Sequence, residues 1–294
     1  MKTTACFFVI TILMAGCNFS KSVKKDLVSG LASTGDGISC TDVYLTVNNV
    51  KTENTSFGYG EMVYMIFDDV KGLKTVNGNV FPLMEIAVTN PAGDTLLFAD
   101  SLYSEYTEGM NYIPLQLTAD LTVASPIRSG GEYLLNVIIT DRNGPGKYIS
   151  KLKFSVQKNE RIDVEAVNVT YNEVYLYSQG NNKVINDNKI AFDDNTYIMV
   201  EGLNGFKEEN GIVFPGLSLK LLDSEKNILL DNKDLFEEYS ETGISSSDFA
   251  SRISAHFTLN DTEFSNPLHC EMVIWDKKSD SKLKISTNLK AEKN

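Results

Sequence analysis

The sequence predicts an all-β protein made of two tandem, duplicated antiparallel β-sandwiches, each with a short helical insert. Three observations support this. A hexapeptide occurs twice at a step of 133 residues, as NGNVFP over 77–82 and NGIVFP over 210–215. Apolar and polar residues alternate with a period of two through both halves, which is typical of strands with one buried and one solvated face. Turn residues separate about seven such runs in each half, as in a sandwich.

The repeat extends well beyond the hexapeptide. Val70–Lys74 aligns with Leu203–Lys207, and Tyr64 aligns with Tyr197, at the same step. A period this long indicates two copies of a whole domain, because the units of solenoids are shorter. We therefore predict domain 1 over 39–158 and domain 2 over 162–292, with a short linker that lacks Gly and Pro and arranges the domains end to end.

The repeated hexapeptide predicts a structural device. Asn-Gly accepts positive φ at both central positions of a tight turn. Pro82 and Pro215 cannot donate to a β-ladder, so each is expected at a strand start or at an edge. Both copies would keep this turn because both fold in the same way.

A short helix is predicted in each copy, shortly after the middle of the domain. Ser101 and Asp234 are suitable N-caps. Leucine and aromatic residues follow with helical spacing, and Gly109 and Gly243 come where a C-terminal cap is expected.

The N-terminal residues have the features of a bacterial export signal. Residues 1–16 carry Lys2, an apolar run and a small-residue exit, and thus predict a signal peptide. Leu13–Cys17 resembles a lipobox, which implies cleavage before Cys17, lipidation of its thiol and a membrane anchor rather than a span. Residues 17–38 are rich in Ser, Gly and Lys and predict a flexible tether.

Composition excludes some function classes. The formal charge is −12 and becomes −13 when Lys2 leaves with the signal. An acidic chain repels nucleic acid, so no nucleic-acid partner is expected. Cys40 and Cys270 remain after processing, and we expect two buried thiols rather than a disulfide.

No residue pattern for catalysis or a cofactor stands out. His256 and His269 are the only histidines, and no nucleophile elbow or zinc motif accompanies them. We therefore expect no enzyme activity, no cofactor and no metal site, although calcium binding by Asp-rich loops stays open. A hydrolase with a site between the domains is the least favoured alternative.

Aromatic residues on predicted sheet faces are the candidate ligand or partner surface. They are Tyr175, Tyr177 and Trp275. Such rings stack on sugars or fill protein interfaces. The competing interpretation is that they cover the contact between the two domains.

The chain resembles the tandem immunoglobulin-like lipoproteins common in Bacteroidetes envelopes. The lipobox and the paired elements Gly-Leu/Phe, NG-x-VFP and Leu-Tyr/Phe-x-Glu-Tyr carry this resemblance over most of the mature chain. It implies immunoglobulin-like sandwiches anchored at the outer membrane and no fixed activity. Some surface-exported lipoproteins of this group carry an acidic cluster just after the cysteine, whereas this tether is basic, so the periplasmic and surface faces stay open.

Two further expectations follow from the resemblance. Asp94-Thr95-Leu96 and Asp100-Ser101-Leu102 resemble envelope O-glycosylation motifs, so Thr95 and Ser101 are candidate acceptors. The leading function is a non-catalytic lipoprotein that presents two sandwiches for binding or scaffolding a protein partner. The alternative is a glycan-binding lipoprotein of a polysaccharide-uptake system.

Overall fold

The computed structural model describes residues 21–260 and 263–292, and almost all of their regular structure is β. The predicted signal peptide and Cys17 lie outside the described residues. The strands of the first half are β1 (Lys21–Lys25), β2 (Ala32–Asp36), β3 (Asp42–Val47), β4 (Val50–Thr52), β5 (Ser56–Gly58), β6 (Met62–Asp68), β7 (Pro82–Thr89), β8 (Thr95–Leu102), β9 (Leu117–Thr122), β10 (Glu132–Asp141) and β11 (Lys147–Gln157).

The second half repeats this set from β2 onward and adds a short two-stranded pair and two short helical segments. Its strands are β12 (Ile162–Val167), β13 (Glu173–Ser178), β14 (Lys183–Ile185), β15 (Lys189–Ala191), β16 (Asn195–Glu201), β17 (Ile212–Val213), β18 (Pro215–Leu222), β19 (Ile228–Asn232), β20 (Ile244–Ser245), β21 (Arg252–Thr258), β22 (Leu268–Asp276) and β23 (Lys282–Glu292). A 3₁₀ turn covers Glu237–Tyr239, and the helix α1 covers Ser246–Ser251.

Apart from the edge strand β1, which has no counterpart in domain 2, the main sheets of the two halves have the same strand order. This confirms the predicted fold class of two duplicated immunoglobulin-like sandwiches. In domain 1, one sheet has the order β1-β2-β11-β10-β7-β8 and the other the order β4-β3-β6-β9. In domain 2, the corresponding orders are β12-β23-β22-β18-β19 and β14-β13-β16-β21. Even the short strands β5 and β15 correspond, because each pairs in parallel with the last strand of its domain.

The alternation seen in the sequence places a hydrophobic core between the two sheets of each domain. Strand β6 alternates buried and half-buried residues from Val63 to Asp68, and β22 does the same from Cys270 to Asp276. In domain 1 the largest fully buried side chains include Phe57, Phe67 and Tyr148. Each domain therefore has the core it needs to fold as a unit.

The Asn-Gly turns are confirmed in both copies. Asn77 and Gly78 have φ of 52° and 84°, and Asn210 and Gly211 have φ of 54° and 79°. Positive φ at both central positions is the geometry of the tight hairpin turn that Asn-Gly favours. Pro82 and Pro215 are the first residues of β7 and β18, as predicted.

The prediction of a flexible tether over 17–38 is wrong for its described part. Strand β1 pairs with β2, and β2 pairs with β11, so residues 21–36 extend the larger sheet of domain 1. The small side chains that suggested a linker are what allow this packing. Ser33 Oγ lies 2.7 Å from Ser150 Oγ, and a Cβ at Gly35 would lie 3.0 Å from the Tyr148 ring. Among the described residues, domain 1 thus begins at Lys21 rather than at residue 39.

The helical insert is present in domain 2 but not in the corresponding part of domain 1. In domain 2 the 3₁₀ turn ends as predicted, with the Gly243 amide donating to the Tyr239 carbonyl at 2.8 Å and with φ of 67° at Gly243. In domain 1, Ser101 is the penultimate residue of strand β8 and has φ of 54°, which is incompatible with an N-cap of a helix. The segment continues as turns, so the shared sequence pattern gives two local structures.

None of the helices in the described part of the chain is long and apolar enough to cross a membrane.

Candidate functional site

The contact between the domains contains one of the predicted aromatic site residues. Tyr175 projects from β13 on the outer face of the four-stranded sheet of domain 2. It is only 9% exposed because Tyr59 of domain 1 packs on it, with ring centroids 5.1 Å apart. Tyr59 lies in the turn between β5 and β6 and is 5% exposed. The interpretation that Tyr175 covers the domain contact therefore fits its position.

A single carboxylate joins the two tyrosines. Tyr59 Oη donates to Glu201 Oε2 at 3.2 Å, and Tyr175 Oη donates to Glu201 Oε1 at 2.8 Å. Arg252 from the neighbouring strand β21 lies 3.4 Å from the same carboxylate. Glu201 thus has partners from both domains, and hydrogen bonds to a charged acceptor are the stronger kind.

A second carboxylate, Glu173, lies directly opposite Glu201 across the β13–β16 pair. Glu173 Oε2 accepts the backbone amide of Ser129 from domain 1 at 2.9 Å. Burial raises the pKa of Glu173, and the nearby Glu201 charge raises it further, while the Ser129 hydrogen bonds oppose the shift. Burial also raises the pKa of Tyr59 to about 12, so its hydroxyl stays a donor.

Glu173→Gln is expected to stabilise the protein at neutral pH. A carboxyl group whose folded pKa is raised costs stability above that pKa, and the cost disappears as the pH falls to its ordinary value. Glutamine keeps an oxygen for the Ser129 amide but removes the buried charge. The thermal midpoint of the variant should exceed that of the wild type at pH 7, and the two should converge near pH 4.

The control for this pH dependence is Glu165→Gln, which removes an exposed carboxylate from β12. It should leave the midpoint unchanged at both pH values. A Glu173→Gln variant that is less stable than the wild type at pH 7 would show that the charge itself holds the contact.

The arrangement of the domains differs from the predicted end-to-end contact. One end of domain 1 rests on the outer face of a domain 2 sheet. Tyr177, Val184 and Tyr197 of domain 2 pack against the core cluster of domain 1. The side-chain amide of Asn186 donates to the Tyr59 carbonyl at 3.1 Å. The linker is fixed as well, since Arg161 Nη1 donates to the Asn186 carbonyl at 3.3 Å.

A polar cleft of about 660 Å³ lies beside the linker. Its lining combines Glu61 and Lys158 with linker residues Glu160 and Arg161. The charges are mixed, with two carboxylates and two basic side chains among these four residues. The cleft therefore offers polar and charged contacts of both signs.

The other predicted aromatics have separate positions. Tyr177 packs toward domain 1, and its hydroxyl donates to Asn182 Oδ1 at 2.5 Å. Trp275 lies on β22 in the other sheet of domain 2, where its ring covers Gly216 so closely that a Cβ there would lie 2.2 Å from it. The three predicted site residues therefore do not form one surface.

The remaining predicted residues are distributed over the two domains. Thr95 and Ser101 are both exposed, at the two ends of β8. Cys40 and Cys270 are buried free thiols, as expected, and burial raises the pKa of each to about 12. Across residues 21–260 and 263–292, no group of three or more His, Cys, Asp or Glu residues could hold a metal ion.

Comparisons with known proteins find little sequence similarity. No family model matches the chain, and no curated protein matches it. Similar solved structures include pT26-6p, at 8% identity and a TM-score of 0.27 over 90% of this chain; the chain spans 64% of that structure's length.

Two further structures share about the same degree of likeness. A DUF3823 family protein from Bacteroides ovatus matches at 13% identity and a TM-score of 0.22, over 81% of this chain and 98% of its own. The C-terminal domain of the Streptococcus agalactiae AgI/II polypeptide BspA matches at 11% identity and a TM-score of 0.23, over 84% of this chain and 100% of its own. At these TM-scores the likeness carries no argument about function.

Proposed function

We propose that the protein is a non-catalytic lipoprotein of the cell envelope, anchored to the outer membrane through Cys17, that presents its two sandwiches as one rigid unit for binding or scaffolding a protein partner. The packed contact between the domains carries this proposal. Two domains joined only by a linker would move independently. Here Tyr59, Tyr175 and Glu201 lock them in one orientation.

The lipobox supports the anchor. Leu13–Cys17 follows an apolar run that is too short to span a bilayer as a helix. An acyl anchor needs only the cysteine thiol and leaves the sandwiches outside the bilayer.

Glycan binding finds less support in the arrangement of the rings. Tyr175 is buried in the domain contact, and Tyr177 packs toward domain 1, so neither ring is free to stack on a sugar. Trp275 is the remaining candidate platform. Binding on a glycan array that Trp275→Ala removes would favour the glycan-binding function instead.

Cys17→Ser is expected to move the protein from the membrane fraction to the soluble fraction after a carbonate wash, because the acyl chains hold it in the bilayer. Mass spectrometry of the N-terminal peptide should show acyl groups on Cys17 in the wild type. The control is Cys6→Ser, which changes the other cysteine near the N-terminus inside the predicted signal and should fractionate like the wild type. Unchanged fractionation of Cys17→Ser would contradict the anchor.

A further inference from the structure

Domain 1 carries an apolar surface at the end opposite to domain 2, here called the distal tip. The distal tip is formed by the loops 69–81, 103–116 and 142–146. Ile113 is 97% exposed, Tyr112 is 64% exposed and Tyr106 is 40% exposed. Next to them is a groove of about 260 Å³ lined by Val70, Leu73, Val80, Met110, Pro114 and Leu115. Exposed apolar clusters of this kind mark contact surfaces.

The N-terminal end of the described chain lies beside the distal tip. Lys21, the first residue of β1, pairs with Asp36, and Gly37 follows in the chain. A Cβ at Gly72, in the groove, would lie 1.9 Å from the Gly37 carbonyl oxygen. Cys17 precedes Lys21 by four residues, and four residues reach at most about 14 Å. A lipid on Cys17 would therefore hold the distal tip close to the bilayer.

Domain 2 lacks the same apolar residues at its equivalent end. Val80 pairs with Met110 in domain 1 as Val213 pairs with Ile244 in domain 2. The stretch that follows is NYIPLQ in domain 1 and SSSDFASR in domain 2. In domain 2 it forms α1, which presents Ser247 and Asp248 to solvent and buries Phe249. The exposed Tyr-Ile-Pro segment is thus specific to the copy next to the anchor.

The charges of the distal tip suit a membrane surface better than those of the whole chain. Exposed basic residues surround it, namely Lys21, Lys71, Lys74, Arg142 and Lys147. The acidic residues there are the exposed Asp36, Asp42, Glu105 and Glu108 and the half-buried Asp68 and Asp69. Asp69 is paired with Lys71 at 2.5 Å. The formal charge of the chain is −12, so the distal tip is a part of the molecule without a large acidic excess. Anionic headgroups attract the lysines and arginine within a Debye length.

We propose that the distal tip docks on the surface of the lipid bilayer that holds the anchor, with Tyr112 and Ile113 entering the interfacial region. This inference rests on the proposed lipidation of Cys17. Tyrosine and aliphatic side chains are suited to this depth, since an apolar body is buried while polar groups stay hydrated. The docking fixes the orientation of the rigid unit: domain 1 lies on the membrane, and domain 2 projects away from it.

Hydrogen exchange on vesicles tests this docking. The mature chain 17–294 is coupled through the Cys17 thiol to a maleimide phospholipid in vesicles of phosphatidylethanolamine and phosphatidylglycerol. Cys40 and Cys270 are buried and should not react. Peptides covering 103–116 should exchange about fivefold more slowly on vesicles than in the free chain. Peptides covering 237–250, at the equivalent end of domain 2, should exchange equally in both samples.

Tyr112→Ser/Ile113→Ser is the matching variant, because exposed side chains leave the fold intact. With the Cys17 thiol capped, it should partition into the same vesicles about tenfold more weakly than the wild-type chain. Leu235→Ser/Tyr239→Ser, which removes exposed apolar residues from domain 2, is the control and should partition like the wild type.

The possible results separate this proposal from the proposed function. Equal exchange of the distal tip with and without vesicles would overturn the docking. Slow exchange in concentrated protein without lipid would also overturn it, since it would indicate contact with a second copy. Because the anchor is supplied chemically, neither result bears on whether Cys17 is lipidated in cells, which the mass of the N-terminal peptide decides separately.

Discussion

Replacing Asp276 by Ala is expected to lower the free energy of unfolding of domain 2 by about 3 kcal/mol. Asp276 ends β22 and is 3% exposed. Its carboxylate accepts the backbone amides of Lys207 at 2.7 Å and Lys278 at 3.0 Å. Alanine leaves these donors without their acceptor, and buried donors without partners are costly. Urea unfolding followed by the fluorescence of Trp275, the single tryptophan, reports on this domain.

The control for this prediction is Asp280→Ala, which removes an exposed aspartate from the same turn. Its effect should stay within about 0.5 kcal/mol. Asp141 is the equivalent residue of domain 1, where its carboxylate accepts the amides of Lys74 at 2.6 Å and Asn143 at 3.0 Å. Asp141→Ala is therefore a second test of the same role. Equal midpoints for Asp276→Ala and Asp280→Ala would show that the carboxylate does not hold the turn.

The sequence was sufficient to predict the fold because the strongest signals were local and repeated. Alternation with a period of two depends only on which face of a strand is buried. The Asn-Gly turns depend only on the φ values that Asn77 and Gly78 adopt. Since both copies preserved these signals, each half provided an independent check of the other.

The two wrong predictions, the tether and the helix of domain 1, concern segments whose structure depends on residues distant in the sequence. Strand β2 contains Ala, Gly and Asp, which have little tendency of their own to form a strand. It forms because β11 offers an edge for pairing. Glycine is needed at position 35, since a Cβ there would lie 2.2 Å from the Ile38 carbonyl oxygen. The helix predicted in domain 1 does not form for a related reason. Its caps suit a helix, but β8 pairs with β7 as far as Leu102 and uses the first residues of the helical pattern.

An alignment of the two copies shows a sequence difference that is related to the domain contact. At the step of 133 residues, Tyr44 aligns with Tyr177, but the exposed Asp42 aligns with the buried Tyr175. A position that is charged in one copy and aromatic in the other indicates that the second face is covered. Tyr59 was missed because nothing in its neighbourhood shows that its partner lies 116 residues later.

Tyr59→Ala is expected to separate the unfolding of the two domains and to cost about 3 kcal/mol. The ring packs on Tyr175, and the hydroxyl donates to Glu201 and accepts the Ser125 amide at 3.1 Å. Alanine leaves a cavity and removes a hydrogen bond to Glu201 from domain 1. Calorimetry of the wild type should show one cooperative transition, whereas the variant should show two.

Tyr44→Ala is the matched control, because Tyr44 lies on the equivalent sheet face of domain 1, where Lys51 Nζ is 4.3 Å from its ring centroid. It should lower the midpoint slightly and keep one transition. The comparison isolates the contact, since both variants lose a tyrosine ring from a sandwich but only one ring touches the other domain. If Tyr59→Ala unfolded in one transition with the wild-type midpoint, the rigid unit would have to depend on the other contacts between the domains. These are the hydrogen bonds of Ser129 to Glu173 and of Asn186 to the carbonyl of residue 59, and the packing of Tyr177 on domain 1.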